Sequence, residues 1–175
     1  EHRSALNFWQ VLKTSTHRAC PPQSRVGLNS AFSFDMSLKG LLQLLSGHCL
    51  VVIPQLVRAS GPAFVRFLEQ YRIDAFECTP SQLELLLSAG LLDDTGHRPC
   101  TVLLGGESIS PALWARLKTS SRIEFFNMYG PTECTVDATI GSIRDADDRP
   151  TIGRAIANMQ MAHAVDPAFG GGQML

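Results

Sequence analysis

Four short stretches hold the side chains that could do chemistry. They are Phe34-Asp35-Met36-Ser37, Glu77-Cys78-Thr79-Pro80, Gly105-Gly106-Glu107-Ser108 and Asn127-Met128-Tyr129-Gly130-Pro131-Thr132-Glu133. Together they offer carboxylates, hydroxyls and bare backbone. Carboxylates hold cations and ammonium groups through charge-assisted hydrogen bonds. Glycines let a ligand come close to the main chain. Taken singly, each stretch also has an ordinary structural explanation. Asp35 before a helix reads as an N-cap. Gly105-Gly106 reads as a tight turn, Tyr129-Gly130-Pro131 as a loop and Thr132-Glu133 as a surface turn.

The elements that must position these residues alternate. Strands are expected at 25–31, 49–54, 73–77, 100–104 and 123–126. Between and before them, helices are expected at 4–13, 37–46, 62–72, 79–87 and 110–118. Leu38, Leu41, Leu42 and Leu45 share one helical face, with Gly47 as the stop. Cys49 to Pro54 reads as a buried parallel strand. Ser110-Pro111 reads as an N-cap with proline at the first helical position. This alternation predicts an α/β fold: a parallel sheet with helices on both faces. A short β segment follows, with Thr135 to Ile143 expected as an antiparallel strand. The tail from Asp166 to Leu175, with Gly170-Gly171-Gly172, is expected to be a disordered end. Ligands bind beyond the carboxyl ends of the strands in such a sheet, and the four stretches all fall there.

Composition narrows the classes. The chain has 175 residues, enough for one domain or part of a larger one. Its 15 Lys and Arg against 16 Asp and Glu give a net charge of −1, which offers no basic field for nucleic acid or an anionic membrane. No stretch approaches the roughly 18–20 apolar residues of a membrane span. Glu1-His2-Arg3 opens the chain without a signal-peptide pattern. The cysteines Cys20, Cys49, Cys78, Cys100 and Cys134 form no Cys-x-x-Cys pair and stand at no metal spacing from a histidine. Structural zinc and a disulfide scaffold are therefore not expected. Cys49 and Cys100 each open an apolar run and read as small core residues. An odd number of thiols fits a reducing cytoplasm.

The order and spacing of the stretches carry more than each does alone. Asn127-Met128-Tyr129-Gly130-Pro131-Thr132-Glu133 resembles the N-x-Y-G-P-T-E motif of nonribosomal peptide synthetase adenylation domains, in the adenylate-forming superfamily. Phe34-Asp35-Met36-Ser37 resembles the family's F-D-x-S, and Leu104-Gly105-Gly106-Glu107 its G-G-E element. Pro150 to Gln160 is similar to its P-I-G-R-P-I-x-N-T-Q stretch, with Ala155 and Met159 as departures. The likeness covers residues 1–160, as the central, flavodoxin-like part of the large N-terminal subdomain; 161–175 match poorly.

The resemblance implies the following. Asp35 would hold the α-ammonium of an amino acid. The side-chain pocket would be lined by Asp35, Met36, Lys39, Glu77, Leu103, Gly105, Met128, Val136 and Asp137. Gly105, Gly106, Glu107, Asn127, Tyr129, Gly130 and Thr132 would face the nucleotide, Tyr129 stacking on adenine. Thr132 and Glu133 would be the catalytic residues, with Glu133 helping to bind Mg²⁺. The implied reaction is attack of the substrate carboxylate on the α-phosphate of ATP, releasing pyrophosphate. The aminoacyl group then passes to a phosphopantetheine thiol on a peptidyl carrier domain, beside a condensation domain. The family's phosphate loop, ribose-binding aspartate and catalytic lysine lie outside this stretch, so the isolated chain is expected to be inactive. Lys39, Glu77 and Asp137 argue for a polar or charged substrate. Glutamate or glutamine comes first and an ornithine-like amino acid second, with internal pairing of Lys39 to Glu77 or Asp137 as the other possibility. An acyl- or aryl-CoA ligase of the superfamily is the nearest alternative, and a non-catalytic flavodoxin-like module the other.

Overall fold

A computed structural model describes residues 1–93, 95–165 and 172–174. A seven-stranded sheet organises the described residues, in the order β2-β1-β3-β4-β5-β6-β7. These strands are β1 Arg25–Leu28, β2 Cys49–Val52, β3 Ala75–Cys78, β4 Thr101–Leu104, β5 Glu124–Tyr129, β6 Thr139–Ser142 and β7 Arg154–Ala155. The first five are parallel. Their order is that of flavodoxin-like sheets, whose crossovers reverse direction between β1 and β3. The chain then turns back, and β6 and β7 add antiparallel strands. The expected fold class is therefore present, β segment included.

Helices cover both faces because both faces are apolar. On one side lie α4 Gly61–Gln70, α5 Pro80–Ser88 and α6 Pro111–Lys118. Their Phe64, Leu83 and Trp114 pack against Phe76, Val102 and Phe125. On the other lie α1 His2–Thr14, α2 Ser37–Leu41 and a 3₁₀ turn at Leu42–Ser46. There Phe8, Leu12 and Leu42 pack against Leu103, Phe126 and Met128. Three helices start alike: Ser60, Thr79 and Ser110 each accept an N–H from the first turn, with proline at its entry. These caps satisfy donors that a helix start leaves orphaned.

Several expectations need correction. Residues 37–46 do not form one helix; they tighten into the 3₁₀ turn, which Gly47 closes at φ 78°. Strand β2 is parallel but not buried, because it is the sheet's outer strand; Val52 is half exposed. Cys49 is exposed and Cys100 half-buried, so neither is a core residue. A short helix, α3 Gln55–Arg58, follows β2 unannounced. Strand β5 runs three residues past Phe126, so Asn127, Met128 and Tyr129 belong to the strand itself. In place of one strand over 135–143, β6 begins only at Thr139, because Thr135 and Val136 take left-handed φ of 64° and 76°. Of the expected disordered tail, residues 172–174 form β9, Gly172–Met174, paired antiparallel with β8, His163–Val165. The rest, 166–171 and 175, lies outside the described residues. The thiols of Cys20 and Cys100 meet at 3.5 Å, a pairing that spacing did not suggest. No helix among the described residues is long and apolar enough to cross a membrane.

Candidate functional site

A cavity of about 580 Å³ opens at the carboxyl ends of the parallel strands. Its walls are the β1–α2 connection, the loop after β4, the β5–β6 corner and the stretch Pro150–Ile152. Asp35, Met36, Lys39, Gly106, Glu107, Asn127, Met128, Tyr129, Gly130, Thr132, Val136 and Asp137 all line it.

Asp35 does not cap α2. The helix starts at Ser37, Met36 holds the cap position, and no side chain bonds its first turn. The half-buried Asp35 carboxylate has no hydrogen bond or ion pair among the described residues and faces the cavity. Lys39 sits about one helical turn further on. Its Nζ lies 2.9 Å from Asp137 Oδ2, and both side chains are almost wholly buried. Burial pushes the Asp137 carboxyl above its ordinary value, and the Lys39 ammonium pulls it back. Gly105 sits close to the next strand: a Cβ there would crowd the Met128 carbonyl at 3.1 Å and be in ordinary contact with Lys39 Nζ at 3.5 Å.

The opposite wall is a tight backbone crossing. Tyr129 O accepts the Ala138 N–H at 2.8 Å. A Cβ on Gly130 would lie 2.5 Å from Ala138 N and Asp137 Cα, so only glycine fits. Thr135 and Val136 then turn through left-handed conformations that aim Asp137 at Lys39. For a β-branched residue this conformation costs about 1–3 kcal/mol. Asn127 Nδ2 donates to Thr151 O at 2.8 Å and Thr139 Oγ1 to Ile152 O at 2.7 Å, tying the third wall to the sheet.

Groups suited to a nucleotide lie along the same rim. Tyr129 ends β5 and is 42% exposed. Gly106 turns at φ 82°. Glu107 Oε2 accepts the Ser81 N–H at 3.0 Å and the Ser81 hydroxyl, which hold its carboxyl below the usual range. Glu133 is exposed on a 3₁₀ turn, Thr132–Cys134, and does not line the cavity. No group of three His, Cys, Asp or Glu among the described residues could hold a metal. Mg²⁺ commonly takes one or two carboxylates plus substrate phosphates; the lone Glu133 fits as one such ligand.

Glu77, Leu103 and Gly105 are not among the lining residues. Leu103 is buried in the apolar layer beneath. Glu77 is buried at the end of β3, where Oε1 accepts Asn29 N (3.0 Å), Ser30 N (3.1 Å) and Ser30 Oγ (3.1 Å). Phe34, Ser108 and Pro150–Ile152, which lie in the quoted stretches but were given no role, line the cavity too, as does Ile109, which was not named. Their neighbourhood in the quoted motifs was the available signal.

The sequence profile of the family described as "AMP-binding enzyme" matches residues 1–171. The chain belongs to that family. Among AMP-binding relatives, it is 47% identical over 167 residues to the AMB antimetabolite synthetase AmbE of Pseudomonas aeruginosa, covering 95% of the chain and 8% of that protein. It is 36% identical to the vanchrobactin synthetase VabF of Vibrio anguillarum, over 89% of the chain and 6% of the relative. The chain thus spans less than a tenth of the length of these curated relatives. Among solved structures, the four-domain nonribosomal peptide synthetase holo-AB3403, bound to AMP and glycine, matches 96% of the chain and 12% of its own. Its TM-score is 0.80 and its identity 26%. The Vibrio cholerae adenylation domain AlmE, in complex with glycyl-adenosine-5'-phosphate, shares the fold at TM-score 0.77 and 22% identity, over 98% of the chain and 32% of its own.

Proposed function

We propose that this AMP-binding chain is the central part of an amino-acid-activating adenylation domain of a nonribosomal peptide synthetase. One observation carries the reading. An unpartnered carboxylate, Asp35, lines a single cavity together with Tyr129, Gly130 and Thr132. A carboxylate left without a partner in a partly desolvated wall suits a substrate ammonium. It has no use to a ligase whose acid carries no amine. Residues 1–160 supply the amino-acid and adenine walls.

In the reaction, the substrate carboxylate attacks the α-phosphate of ATP, and pyrophosphate leaves. The aminoacyl group then moves to the phosphopantetheine thiol of a peptidyl carrier domain, with a condensation domain as the next partner. The compartment that fits this ATP-dependent reaction is the cytoplasm. Asp35 anchors the amine, Tyr129 stacks on adenine, and Gly106 admits the nucleotide close to backbone. Asn127 and Glu107 brace the nucleotide wall, and Thr132 bonds phosphate oxygens. Glu133 would hold Mg²⁺, whose charge offsets that of the phosphates. Catalysis comes mainly from positioning and charge neutralisation.

The side-chain pocket supports glutamate or glutamine first. Lys39 and Asp137 line the cavity as an ion pair, from which the ammonium can donate to a side-chain carboxyl or carboxamide, while Asp137 can accept only from a carboxamide N–H. An ornithine-like substrate ranks second, because Glu77 Oε1 already takes three donors and Asp137 is already paired with Lys39. Amino-acid-dependent ATP–pyrophosphate exchange by the complete adenylation domain is the test. Asp35→Ala should cut kcat/KM by roughly two to four orders of magnitude. A loss below tenfold, or preferred activation of acids lacking an amine, refutes the reading. Preference for leucine, valine or phenylalanine refutes the polar pocket alone.

A further inference from the structure

Flavodoxin-like sheets bind ligands in the crevice where the crossovers reverse, here between β1 and β3. In this molecule a side chain already spans that crevice. Glu77 leaves the end of β3 and is 2% exposed. Its Oε1 takes the N–H groups of Asn29 and Ser30 and the Ser30 hydroxyl, all at 3.0–3.1 Å. Its carbonyl accepts Asn29 Nδ2 at 2.8 Å, and the same amide donates to Gln82 Oε1 at 2.6 Å. The two residues held are the first after β1. From them the chain runs through two linked turns, Phe34 N to Ala31 O at 2.9 Å and Ser37 N to Phe34 O at 3.0 Å. Asp35 rides on the second turn.

We infer that Glu77 is a positioning residue: it straps the end of β1 to β3 and so sets where Asp35 presents its carboxylate to the substrate amine. The inference rests on the amine-binding role proposed for Asp35. Burial alone would make a charge at Glu77 costly. The three donors oppose that cost, as the directions of its carboxyl shift show: burial raises it, and the Asn29 and Ser30 bonds lower it. An oxygen with three donors already in place has little left to offer a substrate. Rigid placement is nonetheless what a binding carboxylate needs, since an error near 1 Å costs about 100-fold.

The test uses the complete adenylation domain, with Glu77→Gln, Glu77→Ala and Asp35→Ala in exchange assays. Glutamate, glutamine, ornithine and leucine serve as substrates. Glu77→Ala should raise KM for each accepted amino acid roughly 10–100-fold while KM for ATP moves less than about twofold. Glu77→Gln should raise the amino-acid KM only about threefold, because an amide oxygen still accepts both N–H groups without the charge. Substrate ranking should be the same in Glu77→Gln as in the parent. A changed ranking in Glu77→Gln, a variant of equal size that tests the point even if Glu77→Ala fails to fold, would mean the carboxylate touches the side chain, overturning the inference. An unmoved amino-acid KM in Glu77→Ala overturns it as well. If Asp35→Ala leaves that KM unchanged, the amine-binding role itself falls; if only Asp35→Ala raises it, the strap alone falls.

Discussion

Lys39 and Asp137 stand 2.9 Å apart with almost no exposure, so each needs the other. Removing one partner leaves a buried charge uncompensated. Lys39→Met is therefore expected to destabilise the domain by about 3–5 kcal/mol. The double variant Lys39→Met with Asp137→Leu should recover most of that loss. Urea unfolding of the full double-mutant cycle measures the coupling, and simple additivity would show the pair to be independent. Gly130 makes a second test at this scale. Its missing Cβ would meet backbone atoms at 2.5 Å, so Gly130→Ala should cost about 2 kcal/mol or more in the same assay. Gly106→Ala meets nothing closer than 3.7 Å; only its φ of 82° resists, at roughly 1 kcal/mol. Placement on the cavity was legible where a motif keeps neighbours together, as around Asp35 and Tyr129. The Lys39–Asp137 pair and the Glu77 strap join residues far apart in the chain, and which carboxylate meets which donor depends on packing.

At the level of elements, caps were the most readable feature because their chemistry is local. Ser110 accepts the Leu113 N–H at 3.2 Å, so Ser110→Ala should cost about 1 kcal/mol, and Ser110→Asp should restore most of it. Thermal unfolding of the two variants side by side decides whether the cap or the serine's other contacts matter. Strand positions were legible and their burial less so. The run Cys49–Val52 is as apolar as an inner strand, yet it occupies the sheet edge. Apolar runs report affinity for a sheet, whereas rank within it depends on the crossovers. Strand β6 started late for another reason: the left-handed Thr135 and Val136 follow from the close Gly130–Ala138 crossing, and no local residue preference favours them.

For the whole molecule, the end of the sheet away from the cavity holds its own titrating group. His17 is 4% exposed, with Nδ1 2.9 Å from Thr16 Oγ1. Burial, with His48 adding to it, pushes its imidazole down to about 4. An unfolded imidazole titrates near 6.5, so between those values the unfolded chain binds more protons. Stability should therefore fall as pH drops from about 6.5 to about 4, by at most about 3 kcal/mol. Glu77 and Asp137 act with the opposite sign. Their raised carboxyls make stability fall as pH climbs above the ordinary carboxylate range. Comparing the parent with His17→Asn across pH isolates the histidine: the acid arm should flatten, and an unchanged slope would show that His17 is not its source. The strand register adds something about time. Strand β5 meets β6 through residues as near in the chain as Tyr129 and Thr139, while β1 meets β3 by joining Val26 to Ala75. Short loops close at lower entropic cost and sooner. During refolding, amides of β5 and β6 should gain protection from pulsed hydrogen exchange before those of β1. The Tyr129 corner of the cavity would then exist before Asp35 arrives opposite it. By the same logic, a partial opening that frees residues 29–36 takes Asp35 out of the cavity first and leaves the Tyr129 corner standing.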